Sequence, residues 1–312
     1  MSFLRPVIAL AVVLGAIWIG LNFVPHHEDE NPFKQLYAHL MAAPLITNAH
    51  AEHGAAPDYV LSVDLPWMPA AFDMNTVKAG PQIVATNLQL FQIAAVLLVL
   101  IAFSGAAAHA RNGGGDWISR RMAGFAMWVR DEMVYPSMGP ELGRKFLPWF
   151  LTVFFFILFM NLLGLLPGGA TATASIFVTA ALALVTLVSM LVCGMVAQGP
   201  IAYWKHLVPH VPLILWPLMF VVEVIGVLVK PFALMVRLFA NMTGGHMVVL
   251  SFMGLIFFFA AKSGAVGWAV SPVAVGFAVF IMIIEAFVAL LQAFIFTQLT
   301  ILFVSASVHP EH

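Results

Sequence analysis

Residues 213–261 are apolar almost throughout, and their strongly polar members are Glu223, Lys230, Arg237, Asn241 and His246. At 1.5 Å per residue an unbroken helix of that length reaches about 70 Å, over twice the ~30 Å hydrocarbon core of a bilayer. The segment is therefore either two helices or one lying strongly tilted. No polar turn divides it, and Pro231 and Gly244-Gly245 offer kinks rather than an exit. The last apolar segment opens at Ser271-Pro272, a cap followed by proline at the first helical position, and runs to about Ser305. Two overlong helices joined by a short loop predict a tilted hairpin.

Composition extends this reading to the whole chain, which is 62% hydrophobic and 9% charged. An ordinary soluble domain has roughly 45–50% and about 25%. The fold class is all-α: a polytopic membrane protein of about five to six helices ending in the hairpin. With 13 basic and 14 acidic residues, net charge says nothing about partners, and only the placement of charge informs. The single cysteine, Cys193, excludes an internal disulfide framework, a thiolate zinc cluster and a C-x-x-C-H haem attachment. No internal repeat of the inverted-transporter kind is visible.

Residues 7–24, preceded by Arg5, form a first apolar helix that reads as a signal peptide or, preferably, a retained span. Residues 25–80 are polar, with Glu28, Asp29, Glu30, Glu52, Asp58, Asp64 and Asp73 against Lys34 and Lys78. A span over 83–108 follows, then a segment, 109–145, carrying Arg111, Arg120, Arg121, Arg130, Arg144 and Lys145. The positive-inside rule makes that loop cytoplasmic and the acidic segment external. Within the loop, Ile118, Met122, Phe125, Val129 and Met133 recur at helical spacing, which predicts an amphipathic helix against the membrane surface or a partner subunit. Spans over 146–166, closed by Pro167-Gly168-Gly169, and over 172–197 come next. A short Pro-bearing turn with Tyr203, Trp204 and Lys205 leads into the hairpin. Residues 1–82 thus make an N-terminal helix plus an acidic extracytoplasmic segment, and 83–312 a membrane domain.

Between 146 and 308 the formal charges are Lys205, Glu223, Lys230, Arg237, Lys262 and Glu285. Lys205 and Lys262 fall in loops. The other four lie in spans, where each costs about 3 kcal/mol on insertion scales and by default marks function. Glu223, Lys230 and Arg237 are seven apart, so each falls within about 20° of the last on a helix. Asn241 continues that face one turn on, whereas His246 points the other way. Glu285 and Gln292 share a face of the next helix. His246 and Glu285 are the hairpin groups suited to passing a proton near neutral pH, while arginine does not deprotonate and serves as a fixed charge. Bland readings compete: Glu223 and Lys230 as a neutralising pair, His246, Asn241 and Gln292 as interhelical hydrogen bonders. Arg237 has the weakest such reading. Its intrachain partner is Glu223, about 20 Å along a helix, or Glu285, and a carboxylate from another chain is the sharper reading.

The stretches "ILWPLMFVVEVIGVLV", "KPFALMVRLFANMTGGH" and "IIEAFVALLQAFIFTQLTILFVSAS" resemble subunit a of the F-type rotary ATP synthase, and "FILFMNLLGLLP" resembles its earlier span with Asn161. The resemblance covers roughly residues 83–308. It implies two long tilted helices along a ring of c subunits, between two offset aqueous half-channels. By that resemblance Arg237 faces the ring's carboxylates, makes each release its proton and blocks leakage between the half-channels. Asn241 and Gln292 match polar positions beside it, Glu223 matches an acid on the cytoplasmic exit path, and Lys230 and Asn161 are supporting polar groups. His246 and Glu285 match the pair lining the outer path, in the order of mitochondrial members and reversed from many bacterial ones. Gly164 stands where some members carry an acid and is given no role.

The resemblance implies a non-catalytic, proton-translocating stator subunit. Its partners are the c ring, the b subunits of the peripheral stalk, the remainder of the synthase and membrane lipid, in a bacterial inner or other energy-coupling membrane. No cofactor, metal or nucleic acid is expected, and no P-loop, G-x-S-x-G or H-E-x-x-H occurs. A self-contained proton-coupled transporter is the alternative. A haem-bearing subunit needs paired axial histidines within the membrane, and only His246 falls within a span.

Overall fold

A computed structural model describes residues 4–23, 45, 62–64, 82–84, 86–105, 109, 117–166, 169–208, 212 and 214–308. Most of the acidic segment 25–80, together with Arg111, Pro167 and Gly168, lies outside the described residues. The chain is an all-α polytopic membrane protein with one minor β feature. Helix α1 spans Leu4–Phe23, and strands β1 (Ser62–Asp64) and β2 (Gln82–Val84) pair antiparallel, Val63 opposite Ile83. Then come α2 (Asn87–Phe103), α3 (Trp117–Trp128), a π-helical turn at Val129–Val134 and α4 (Tyr135–Gly164). A 3₁₀ turn, Ala172–Ala174, precedes α5 (Ile176–Gln198), the short α6 (Pro200–His206), α7 (Trp216–Lys262) and α8 (Gly264–Val308). Among the described residues five helical stretches are long and apolar enough to cross a membrane, and α2 adds a shorter apolar helix inside the expected span 83–108.

The amphipathic helix expected between 109 and 145 is α3 with its π-helical continuation. Val129 and Met133 are fully buried, and Phe125 packs edge-on to Phe155 at 5.7 Å, so the apolar stripe faces this chain's own α4. Arg120 and Arg121 stay exposed on the other side. Gly139 separates the surface helix from the span with a left-handed φ of 73°, which an L side chain adopts at a cost, and Pro140 restarts the helix where its missing N–H is no loss.

The long segment from 213 is one helix, not two. The 47 residues of α7 run unbroken through Pro231 and Gly244-Gly245. The expected helix start at Ser271-Pro272 is corrected by the structure. The 45 residues of α8 begin at Gly264, and Ser271 and Pro272 lie inside it. The reversal uses Ser263 alone, and it works because Gly267 abuts α7: a Cβ there would stand 2.7 Å from Ala260 Cα. The carbonyl that Pro272 leaves unpaired is tolerable in a membrane helix that relaxes locally.

Contacts gather the chain into two compact units, each of three segments. Met1–Ala102, Phe159–Ser175 and Met242–Val288 form one. Its core holds Phe91, Ala95, Met160 and Met242, and Phe252 of α7 stacks on Phe277 of α8 at 5.3 Å. Phe103–Leu158, Ile176–Asn241 and Ala289–His312 form the other. There α8 buries Ala289, Ala293, Phe296, Thr300 and Val304 in a stripe at helical spacing, and Phe150, Phe154, Phe155 and Ile157 of α4 are buried with them. Small residues at 289 and 293 permit the close helix approach that drives association in lipid.

Candidate functional site

In the second unit α7 carries Glu223, Lys230, Arg237 and Asn241. Lys230 is exposed and places Nζ 5.7 Å from the Phe303 ring of α8. No ion pair joins it to Glu223, so the neutralising-pair reading is not what the fold makes. Asn241 donates through Nδ2 to Gln292 Oε1 at 2.8 Å, a bond across the hairpin from α7 to α8. Gln292 is 1% exposed, and its amide nitrogen has no partner among the described residues. Arg237 is half-buried and makes no ion pair or hydrogen bond among the described residues. A guanidinium carries five donors and a charge that it cannot shed, so this position calls for an acceptor.

In the first unit α7 carries His246 and α8 carries Glu285. The two are not hydrogen-bonded to each other. His246 Nε2 lies 2.7 Å from Thr171 Oγ1, just ahead of the 3₁₀ turn. The same hydroxyl lies 3.3 Å from the Gly164 carbonyl, and the direction of its shorter bond to Nε2 follows the ring tautomer. Gly164 is small for a reason: a Cβ there would sit 2.6 Å from Thr171 Oγ1. Glu285 is 5% exposed, both its oxygens lack a hydrogen-bond partner among the described residues, and its carboxylate lies against Gly245, next in the chain to His246. A buried carboxylate without a donor is costly, which makes Glu285 a candidate functional group.

Asn161 of α4 is fully buried and accepts from Thr173 Oγ1 at 2.7 Å, while Thr243 of α7 donates to the Ala174 carbonyl at 3.3 Å. The 3₁₀ turn is thus pinned from two helices and presents Thr171 to His246. Sequence reasoning missed Thr171, Thr173 and Thr243, and it passed over Gly245. The signal available was "TATAS", short polar side chains in an otherwise apolar stretch after Gly168-Gly169. Among the described residues no three His, Cys, Asp or Glu side chains gather as a metal ligand set.

Residues 89–305 match the family described as ATP synthase A chain. ATP synthase subunit a of Myxococcus xanthus is 48% identical over 188 residues, 60% of each chain. ATP synthase subunit a 2 of Chlorobaculum tepidum is 40% identical over 78% of this chain and 66% of its own length. The chain therefore spans less than two thirds of those two relatives. ATP synthase subunit a 2 of Prosthecochloris aestuarii is 37% identical over 94% of this chain and 91% of its own. With the matched region running from α2 through nearly all of α8, the chain belongs to the ATP synthase A chain family.

Proposed function

We propose that this membrane-sector protein is the proton-conducting stator subunit of a bacterial F-type ATP synthase, seated in the inner membrane against a c ring and the b subunits. The observation that carries the reading is Arg237: a half-buried cation without an ion pair among the described residues, on a helix whose neighbours Phe232 and Val236 are exposed apolar groups. Such a face suits another apolar surface bearing a carboxylate. When a ring carboxylate arrives protonated, the guanidinium favours its ionised form and the proton leaves; the fixed charge also repels a proton passing directly. The Asn241–Gln292 pair supplies neutral hydrogen-bonding groups beside that exchange, and Glu223 lies four turns of α7 toward the cytoplasmic outlet. His246, with Thr171, and Glu285 form the outer access path. ATP chemistry resides in other subunits.

The test is Arg237→Ala in the assembled complex. ATP synthesis and ATP-driven pumping should be lost while assembly persists, and passive proton leak through the membrane sector should hold or rise. Arg237→Lys should substitute poorly, because lysine lacks the planar fork and can lose its proton when desolvated. Normal coupled synthesis by the alanine variant would overturn the reading.

A further inference from the structure

A cavity of about 740 Å³ opens where α6 meets the start of α7, lined by Ile201, Trp204, Lys205, Trp216, Pro217 and Phe220. None of these residues belongs to the proton path. Trp216 stacks on Phe220 at 5.4 Å with their rings 12° from parallel, and Trp204 approaches the same Phe220 ring at 6.4 Å. Three aromatic rings thus form an apolar wall, and Ile201, 84% exposed, extends it. Lys205 is the one charged lining residue; it is exposed and makes no ion pair among the described residues. Its neighbour His206 is tied by Nδ1 to Gln198 Oε1 at 3.2 Å, which fixes the short helix on the end of α5.

The position in the chain sets the depth. α5, an apolar helix of 23 residues, ends at Gln198, and the apolar α7 begins at Trp216. The corner between them is therefore where hydrocarbon gives way to headgroups, the level at which tryptophan and lysine concentrate. A ligand for this cavity must be mostly hydrocarbon and must carry negative charge at one end. Free phosphate has nothing to offer five apolar walls, and a zwitterionic lipid answers the ammonium with a phosphate whose charge its own headgroup cation largely cancels.

We propose that this corner binds an anionic phospholipid, with its headgroup phosphate against Lys205 and its acyl chains against Trp204, Trp216 and Phe220. The assembled complex is reconstituted into phosphatidylcholine vesicles doped with photoactivatable phosphatidylglycerol or photoactivatable phosphatidylcholine. Adducts on peptides within 201–220 are then counted by mass spectrometry. Labelling by the phosphatidylglycerol should exceed that by the phosphatidylcholine about fivefold, the effect of about 1 kcal/mol for one cation near an anionic headgroup. Lys205→Gln should bring the ratio near unity, Lys205→Arg should keep it, and added inorganic phosphate should leave it unchanged. Equal labelling by the two lipids, an unchanged ratio in Lys205→Gln, or competition by phosphate would overturn the proposal. So would a segment labelled by neither lipid, the pattern a protein subunit seated there would leave.

Discussion

At Gly245 the missing side chain is what lets Glu285 reach α7. A Cβ built there collides with Oε1, Cδ and Cγ of Glu285, so Gly245→Ala should push the whole acidic side chain aside. Assembly should stay near wild type while ATP-driven acidification of inverted vesicles falls on the order of tenfold, since small displacements of a reacting group are expensive in rate. Glu285→Asp in the same chain, one methylene shorter, should recover part of it; normal pumping by Gly245→Ala alone would separate Glu285 from the path. Thr171→Val makes a related test. It keeps the shape but leaves the part-buried His246 Nε2 without its partner, a loss of about 1 kcal/mol. Pumping should drop severalfold, and Thr171→Ser should retain it. Arg237, Glu285 and Gln292 were legible in the sequence because charge or amide in an apolar helix is costly and so conspicuous. Gly245 and Thr171 were not, because an absent Cβ and a small hydroxyl raise no such signal until the fold brings a neighbour against them.

Helices and their breaks obey a different logic. Gly139 has no atom near where its Cβ would stand, so an alanine there meets no clash and feels only the left-handed φ of 73°. Gly139→Ala should destabilise by about 1–3 kcal/mol, the cost of placing an L residue at φ 73° and ψ 167°, a region that essentially only glycine occupies. Gly124, inside α3 and equally unobstructed, has no such φ. Gly124→Ala should gain up to about 1 kcal/mol of helix propensity. Thermal unfolding of the purified protein, followed by solubility after heating, should move in opposite directions for the two; parallel shifts would mean that Gly139 is not a conformational break. The same local grammar explains where element boundaries were misplaced. Ser271-Pro272 carries every mark of a helix start, yet tertiary contact decides otherwise. Gly267 lets α8 press against Ala260, so the helix is already formed before Pro272 arrives. Apolar length, by contrast, was legible, because membrane spans are set by run length alone.

For the whole chain the deciding question is how many times the stretch from Trp216 to Lys262 crosses the bilayer. Two crossings would return Lys262 to the side of Lys205, and one crossing separates them. The helix is continuous, with a length of about 70 Å against a ~30 Å core, and its single interior proline opens no turn. A lone helix cannot reverse within lipid, so α7 crosses once, inclined, and α8 brings the chain back. Arg120, Arg121, Arg130, Arg144 and Lys145 on the segment from α3 into α4 predict, by the positive-inside rule, that this segment faces the cytoplasm. With Cys193→Ala as background, a cysteine at Arg144 or at Lys205 should react with an impermeant maleimide only from the cytoplasmic face. A cysteine at Lys262 or at Asp64 should react only from the opposite face. Lys262 is the informative position, because the other three sites bracket earlier spans and agree under either count. Labelling of Lys262→Cys from the cytoplasmic side would put a hidden reversal inside α7. Arg237 and His246 would then fall on different crossings, and neither a cation facing the ring nor an outer path on the same helix would survive.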